Sequence, residues 1–444
     1  MNDTVRNAFI EAAVVPLDGS SHASGSLDVA RALLLAHPLL AEMDIYTAAL
    51  LGEAERVRQL LRQAPLLATT PGSLLGWDPL THLCFSRFLR LDATRSAGFV
   101  EAARALLDAG ASANTGWRDT VHYPEPGWEP VLYGAAGVAR HPGVTRLLLE
   151  HGADPDDLET TYHIPEGYDN AVMQVLVEIG KPNAGSLAAM LLRKADWHDE
   201  AGARYLLAHG ADPNHMTRWH FTALQQAIRR DNVLGIIDAM LEHGADPTLP
   251  GGEHGANSVA MAARRGRGDV MRACDARGYD GSLTGVDALI AACALGDTSR
   301  IEALGHGDAL AGLRAHGGWL LGAFAGNANT EGVLRLLDLG VPVEASYPGD
   351  AYFDIPPGST ALHVAAWRAR HETVAALIER GARVDARDGR GATPLMRAIK
   401  ACVDSYWMSR RSPASVEVLL RAGASREGVR YPCGYEAVDV LLER

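Results

Sequence analysis

Residues 359–385, STALHVAAWRARHETVAALIERGARVD, decide how the rest of the 444-residue chain is interpreted. Apolar residues recur with helical spacing in two short stripes, one including Leu362 and Ala366 and the other Val374 and Leu377. A polar turn separates the stripes, and Gly381 follows the second, where a left-handed residue can close a helix. The stretch therefore predicts helix, turn, helix and loop. Each helix is too short to be stable alone, so neighbouring copies must supply the core.

The glycine after the second helix recurs along nearly the whole chain. Counted from Ala64, a degenerate first member, the gaps between successive copies run from 28 to 46 residues. Self-similarity with a period of about 33 residues is typical of a helical repeat array. The glycines in this position are Gly110, Gly152, Gly180, Gly210, Gly244, Gly278, Gly307, Gly340, Gly381 and Gly423.

Two segments, TALHVAA at 360–366 and GARVDARDGRGATPLMRA at 381–398, resemble the ankyrin repeat, whose motif is a Thr-Pro-Leu-His turn, two antiparallel helices and a Gly-Ala-Asp exit. The resemblance implies an all-α solenoid of helix-turn-helix repeats, about eleven to twelve in number and about 33 residues long. It also implies that long inserted loops extend toward a concave face, and that His363 stabilises the turn of its own repeat.

Departures from the repeat give the domain organisation. Residues 1–43 are interpreted as a leader and an N-terminal capping helix, residues 44–435 as the repeat array, and residues 436–444 as a C-terminal capping helix. Some segments are too long for the repeat, and loops of such length often carry function. These insertions are 85–99, 115–130, 158–170, 345–358 and 402–413.

Composition and net charge indicate which cellular compartment and which classes of partner to expect. No apolar run approaches the roughly 18 to 20 residues that span a membrane, and the N-terminus has no secretory pattern. The five cysteines are scattered and never spaced as CxxC, which argues against disulfides or a zinc knuckle. A net charge of −13 argues against a nucleic-acid surface. We expect a cytoplasmic monomer that binds neither membrane nor nucleic acid.

In ankyrin arrays, the two residues after the Ala-Ala pair of the first helix point into the concave surface. Alignment carries this expectation to three consecutive repeats with a basic pair, and to Trp367 and Arg368 in the opening stretch. Guanidinium groups bind carboxylates and phosphates through charge-assisted hydrogen bonds, so these positions suggest an anion site. The alternative is that Arg simply suits exposed helix positions. We call these pairs the basic ladder: Arg193, Lys194, Arg229, Arg230, Arg264 and Arg265.

Large aromatic rings are concentrated in the inserted loops and beside them. Exposed loops without a partner usually lack such rings, so something must cover them. Either the loops fold over one another and plug the array, or they line a pocket for a ligand, and both alternatives remain open. The aromatic residues expected to bind a ligand are Trp117, Tyr123, Trp128, Tyr133, Tyr162, Tyr168, Tyr352, Phe353 and Trp367.

Catalytic and metal sites have weaker support in the sequence. General acid–base catalysis needs histidines beside carboxylates, but neighbours in sequence do not thereby converge, and charged turns are usually solvated. No His pair at i, i+4 accompanies a third ligand, so neither a metal nor a cofactor is expected. The catalytic candidates are His163, Glu166, His198 and His220.

These features predict a non-catalytic binding scaffold. Its concave groove would capture an acidic peptide or protein segment, or an anionic, partly aromatic small molecule. The alternative is an enzyme that uses His and carboxylate residues of the long loops as acid and base on a ligand enclosed in the concave pocket. A repeat fold does not decide between them.

Overall fold

The structure is a computed structural model that describes residues 3–122, 124–252 and 255–443. As the repeat pattern predicts, the chain is predominantly helical. It divides into two compact units, with the boundary after Arg218. Across the described part of the chain, every helix is too short or too polar to cross a lipid bilayer.

Short helices of the first unit pack against their neighbours in the chain and against the corresponding helix of the next pair. Helix Ile45–Leu51, whose residues are all buried, contacts Ala54–Gln63 and Pro79–Cys84. The α-helices of this unit are Asp3–Ala13, Asp28–Ala36, Ile45–Leu51, Ala54–Gln63, Pro79–Cys84, Arg87–Leu91, Ser96–Asp108, Val131–Tyr133, Pro142–Glu150, Leu158–His163, Ala171–Val175, Ala184–Asp196 and Glu200–Ala208. Tighter 3₁₀ turns cover Pro38–Glu42, Pro65–Ala68 and Ala93–Arg95, and π-helical turns cover Gly134–Val138 and Leu176–Gly180.

A small antiparallel sheet corrects the all-α prediction. Strand β1, Gly116–Asp119, pairs with strand β2, Gly127–Pro130, and Trp117 lies opposite Glu129. Successive side chains of a strand point to opposite faces, so Trp117, Asp119 and Glu129 share the buried face of this ribbon. The expected insertion at 115–130 is thus an ordered hairpin that directs polar groups into the first unit.

Two segments of the first unit contain more helix than the sequence indicates. Helix Asp3–Ala13 lies in the expected leader, and it buries Phe9 and Ile10 completely. Helix Leu158–His163 lies in the expected insertion at 158–170, where the sequence predicts a loop. Asp157 caps it by accepting the backbone N–H of Thr160, so a polar sequence with little apolar periodicity still begins a helix.

The second unit continues the same packing. Helix Gly317–Gly326 contacts Ala361–Trp367, which in turn contacts Pro394–Asp404. Its α-helices are Ala223–Arg229, Leu234–Glu242, Ser258–Arg264, Gly268–Asp275, Gly285–Leu295, Thr298–Leu304, Gly307–Ala315, Gly317–Gly326, Thr330–Asp338, Ala361–Trp367, His371–Glu379, Pro394–Asp404, Ala414–Arg421 and Glu436–Glu443, with a 3₁₀ turn at Met408–Arg410.

The aromatic loop at 345–358 folds into the second unit. Tyr347 and Phe353 are buried in one cluster with Trp367 and Trp407. The backbone N–H of Tyr347 donates to the carbonyl of Ser359 at 2.7 Å, which ties the start of the loop to its end. Of the two alternatives for the aromatic loops, this one follows the first, because its rings fill the core of its own unit.

Most first helices begin with the same capping interaction. The side chain before the helix accepts a backbone N–H two or three residues further on, which satisfies one of the free donors of the first turn. At Thr360 the cap includes His363, whose Nδ1 lies 3.1 Å from the Thr360 nitrogen and whose Nε2 faces the carbonyls of Ala386 and Ala392. His363 therefore has the turn-stabilising role that the sequence predicts. Related caps are made by Asp78, Asp157, Asn183, Thr222, Asn257 and Thr393.

Candidate functional site

Three polar side chains meet at the hairpin of the first unit, two from the hairpin itself and one from a distant part of the sequence. Asp119 ends β1, His122 follows it in the turn, and His22 comes from the segment after helix Asp3–Ala13. Oδ2 of Asp119 lies 2.6 Å from Nδ1 of His122 and 3.3 Å from Nε2 of His22. The side chains of His22 and Asp119 are only 6% and 1% exposed. We call these three residues the His–Asp cluster.

Aromatic rings form the walls around the His–Asp cluster. The ring centroid of His22 lies 5.6 Å from that of Trp117 and 6.0 Å from that of Tyr133. Phe85 contacts both of these rings from the neighbouring helix pair. Trp117 and Tyr133, expected to bind a ligand, are therefore brought together here as buried wall residues. Trp128, on the other face of β2, is 46% exposed and points away from them.

Glu129 is a buried acid beside the same cluster. It is 0% exposed, and neither carboxylate oxygen has a hydrogen-bond partner among the residues that the structure describes. Burial raises the pKa of Glu129 to about 8, and the negative charges of Glu159 and Asp119 act in the same direction. The carboxyl group is therefore mostly protonated at neutral pH, a condition in which an acid can serve as a proton donor.

The predicted pair of His163 and Glu166 does form. Nδ1 of His163 lies 3.0 Å from Oε1 of Glu166, and Nε2 lies 3.6 Å from Oε2 of Glu159. Burial alone would lower the pKa of His163, but the hydrogen bonds to both carboxylates outweigh it and raise that pKa to about 9. Arg193 adds a second cation 3.1 Å from Glu166. The imidazole is thus charged at neutral pH, which suits an ion pair better than a general base.

The basic ladder of the first unit faces inward. Lys194 is 0% exposed, and its Nζ donates to Asp199 at 2.8 Å and to the carbonyl of Gly167 at 3.0 Å. Burial lowers the pKa of Lys194, while the hydrogen bond to Asp199 opposes that effect. Lys194 is thus held by an internal carboxylate and a carbonyl, and its predicted contact with a ligand stays a prediction.

Arg193 has a similar internal role. Its guanidinium lies 4.0 Å from the ring centroid of Tyr162 and 2.6 Å from a carboxylate oxygen of Asp196. The contact with Tyr162 attaches the segment 158–170 to helix Ala184–Asp196, whereas the pair with Asp196 lies within that helix. Tyr168, at the tip of that segment, is 66% exposed. Of the predicted ligand-binding residues, Tyr123 lies outside the described residues.

In the second unit, three members of the basic ladder line one cleft. Arg229, Arg264 and Arg265 surround a volume of about 310 Å³ together with the rings of Phe221 and Trp319. The guanidinium of Arg229 lies 5.0 Å from the ring centroid of Phe221. We call this the arginine cleft. Its remaining lining residues are Gly251, Gly252, Ala256 and Met261.

Carboxylates hold two of these arginines in fixed orientations. Arg264 donates to both oxygens of Asp287, at 2.7 and 2.8 Å. Arg265 donates to both oxygens of the fully buried Asp231, at 2.5 and 2.7 Å, and Arg368 donates to Asp231 at 2.8 Å. Burial would raise the pKa of Asp231, but the two guanidinium groups hold it well below its ordinary value.

The other predicted residues of the second unit divide between core and surface. Trp367, Arg368 and Phe353 are buried in the core, and their predicted contact with a ligand stays a prediction. Trp367 donates its ring N–H to the carbonyl of Phe353 at 2.5 Å, and Arg368 donates to Asp231. Arg230 lies over the ring of Tyr352, 3.8 Å from its centroid, and neither residue is fully buried.

The remaining catalytic candidates lie at turns. His198 belongs to the first unit and His220 to the second, and both have left-handed backbone conformations, with φ of 53° and 61°. Each precedes the helix that follows it by only a few residues. A turn role accounts for their positions.

Several residues at these sites were missed by sequence reasoning. Asp119 and Glu129 lie in a segment that the sequence marks only for its aromatic rings, and His22 lies in the expected leader. The sequence signal that could have revealed this site is the spacing of Asp119 and His122, which are three positions apart. The other missed residues are Phe221, Asp231 and Trp319.

Comparison with known families supports one part of this architecture. The ankyrin repeat matches residues 357–389, which include the cap at Thr360, the His363 network and the exit glycine at 381. No curated protein matches the chain. Ankyrin repeats generally mediate protein interactions. The second unit thus contains a segment similar to the ankyrin repeat.

Proposed function

We propose that this protein is a non-catalytic binding scaffold of ankyrin-type repeats whose arginine cleft captures an acidic peptide segment or an anionic, partly aromatic small molecule. The observation that carries the proposal is the convergence of Arg229, Arg264 and Arg265 with two aromatic rings on one cleft of about 310 Å³. A site with a few polar groups placed among apolar walls is typical of ligand binding.

Local geometry supports the repeat architecture beyond residues 357–389. Capped first helices recur from Asp78 to Thr393, and glycines with positive φ follow the second helices, as at Gly210 and Gly244. His151, His209 and His243 each place Nδ1 2.8 Å from the carbonyl four residues earlier, at the same point of the exit. We infer that these are diverged copies of one unit, about eleven to twelve in all.

The chemistry of the arginine cleft favours an anion. A guanidinium carries five N–H donors, and the pairs with Asp287 and Asp231 use two donors each on Arg264 and Arg265. The remaining donors belong to groups whose orientation is already fixed, which lowers the entropy lost on binding. Phe221 and Trp319 supply the apolar faces for an aromatic ring.

Titration with two probes tests the proposal. Phenyl phosphate and the acetylated peptide Glu-Glu-Tyr-Glu-Glu would be titrated into the full chain by calorimetry at low and high salt. We expect Arg229→Ala and Arg264→Ala each to weaken binding about tenfold, equivalent to ~1.4 kcal/mol, with a smaller effect at high salt. Arg383→Ala is the matched control, because this exposed arginine pairs with Glu344 elsewhere in the unit. Equal affinity in all three variants, or no binding of either probe, would contradict the proposal.

An enzyme remains the second candidate, favoured by the protonated Glu129 beside His163 in the first unit. A buried acid of this kind could act on a ligand that enters among the aromatic walls. Hydrolysis of 4-nitrophenyl acetate or phosphate should then fall at least tenfold in Glu129→Gln. Rates unchanged by this substitution would remove the enzyme candidate.

A further inference from the structure

The His–Asp cluster has the donor atoms of a metal site. One ligand atom from each of His22, Asp119 and His122 lies within 4.8 Å of the other two, and Oδ2 of Asp119 faces Nε2 of His22 and Nδ1 of His122. Two imidazole nitrogens and a carboxylate are typical ligands of zinc and related first-row transition metals, whereas magnesium and calcium prefer oxygen alone. The chemistry of the cluster thus selects a class of cation.

The far side of each imidazole is held by an oxygen. Nε2 of His122 lies 2.9 Å from the carbonyl oxygen of Ser20, and Nδ1 of His22 lies 3.2 Å from the hydroxyl of Tyr133. A carbonyl can only accept, so Nε2 of His122 carries a hydrogen, and Nδ1 presents a lone pair to a cation once the proton between Nδ1 and Asp119 is displaced. Metal-bound histidines are held in the same way, by an oxygen that accepts from the other ring nitrogen.

His22 provides an independent observation. Its Nε2 is buried and lies 3.3 Å from Oδ2 of Asp119, without the alignment of a good hydrogen bond. A buried ring nitrogen with a poorly aligned partner costs stability, and a bound cation would remove that cost. Oδ1 of Asp119 accepts the backbone N–H groups of Val121 and His122, at 2.7 and 3.3 Å, so the carboxylate is fixed with Oδ2 toward both histidines.

Distances in the cluster are compatible with a tetrahedral ion. Metal–ligand distances of 2.0 to 2.1 Å place neighbouring ligand atoms about 3.3 Å apart. The pair of His22 and Asp119 already has this separation, and the pair of His122 and Asp119, at 2.6 Å, must open by about 0.7 Å. His122 is the most exposed of the three side chains and can move by this amount. A cation would then replace the proton shared between its Nδ1 and Asp119.

We propose that His22, Asp119 and His122 bind a divalent transition-metal cation of the zinc class through Nε2, Oδ2 and Nδ1. Three protein ligands leave a fourth coordination position for water or a ligand, as in catalytic zinc sites. Glu129 lies on the same buried face of the hairpin as Asp119. The site lies in the first unit and does not depend on the arginine cleft.

Metal titration of the full chain tests this proposal. Protein stripped with a chelator would be titrated with Zn²⁺ by calorimetry and with Co²⁺ by visible absorption, which distinguishes tetrahedral coordination from loose binding at surface histidines. We expect one equivalent to bind with micromolar or tighter affinity. His22→Ala and Asp119→Asn should each weaken that binding at least 100-fold, and Tyr133→Phe about tenfold, because it removes only the oxygen behind His22.

His209→Gln is the matched control, since that histidine contacts the carbonyl and the ring of Tyr205 at the end of its helix and is not part of the His–Asp cluster. It should bind one equivalent with unchanged affinity. Asp119→Asn keeps the shape of the side chain, and circular dichroism would show that each variant is folded. The proposal is overturned if the folded wild type binds no stoichiometric Zn²⁺ or Co²⁺. Retention of full affinity in folded Asp119→Asn or His22→Ala also overturns it.

Discussion

Asp231 is a buried carboxylate that is surrounded by hydrogen-bond donors. Four nitrogen atoms donate to its two oxygens: two from Arg265, one from Arg368 and one from Asn327. The carboxylate is fully buried, so its charge depends entirely on these donors. It also orients Arg265 toward the arginine cleft, which links the stability of the second unit to its binding surface.

Replacing Asp231 should be strongly destabilising. Asp231→Asn leaves two buried guanidinium groups without a counter-charge, and we expect a loss of about 3 to 5 kcal/mol in the free energy of unfolding. Asp287→Asn is the control, because its pair with Arg264 is partly exposed and should contribute about 1 kcal/mol or less. Urea unfolding of the full chain measures both. Similar losses in the two variants would contradict this account of Asp231.

The raised pKa of His163 predicts that the stability of the protein depends on pH. Its pKa is raised from 6.5 to about 9, so the folded state binds the proton more tightly than the unfolded state. The stabilisation is complete below pH 6.5 and is lost as the pH rises through 9, with a total of up to about 3 kcal/mol.

Nuclear magnetic resonance titration of the histidine side chains measures this pKa directly. The resonance of His163 would be assigned by its absence in His163→Gln. In urea unfolding, the variant should lose less stability than the wild type between pH 6.5 and 9.5. A pKa of His163 below 7 would show that Glu159 and Glu166 do not hold the proton.

Helix Gly317–Gly326 has a glycine at the point where the loop at 345–358 packs against it. A methyl group at Gly322 would lie 2.3 Å from the ring of Tyr347, which the loop at 345–358 packs against this helix. Ala normally stabilises a helix interior by about 1 kcal/mol relative to Gly. Here the glycine makes room for the ring, and the loop can enter the core only because the helix has no side chain at that point.

Gly322→Ala should therefore destabilise the protein by about 1 to 3 kcal/mol, against the helix propensity, because Tyr347 cannot move within its packed cluster. Gly312→Ala is the control, since the nearest atom to its methyl group would be a methyl of Val286 at 3.3 Å. We expect Gly312→Ala to change the free energy of unfolding by no more than about 1 kcal/mol. Thermal unfolding of both variants measures the difference, and a stabilised Gly322→Ala would contradict the fitted contact.

Elements with strong periodicity could be predicted from the sequence, and the others could not. Helix His371–Glu379 follows directly from its apolar stripe and exit glycine. Helix Leu158–His163 begins instead at a side-chain cap, and its polar residues become buried only by packing against neighbours. Strands β1 and β2 depend on pairing across a turn, which no short-range pattern in residues 115–130 indicates.

At the scale of the whole molecule, the two candidate sites belong to different compact units. The His–Asp cluster lies in residues 3–218 and the arginine cleft in residues 219–443. Each unit has its own buried core. A ligand stabilises the state to which it binds, so each site should stabilise chiefly the unit that contains it.

Hydrogen exchange followed by mass spectrometry tests this independence. Zn²⁺ at 100 times its dissociation constant should slow the slowest-exchanging amides of the first unit by about 100-fold, equivalent to ~2.7 kcal/mol. Phenyl phosphate should slow exchange in the second unit instead. Asp119→Asn should abolish the first effect and leave the second unchanged. Protection by Zn²⁺ that appears mainly after residue 219 would contradict the assignment of sites to units.

The arginine cleft was partly predictable because repeats place equivalent positions on one surface. Arg229, Arg264 and Arg265 follow from counting along the repeat, whereas Asp231 was missed because burial of a charge is not visible in sequence. The His–Asp cluster was not predictable in this way, since His22 and Asp119 are about a hundred positions apart and only the tertiary fold joins them.

Asp231 and its partners also limit how this chain can change in length during evolution or by design. Repeat proteins commonly tolerate the loss or duplication of a whole repeat, because each copy contacts only its neighbours. Here, residues 231, 265, 327 and 368 come from four separate regions of the chain and meet at one carboxylate. Deleting or inserting a copy between them would separate buried partners. The span from 231 to 368 must therefore be inherited, transplanted or recombined as one block.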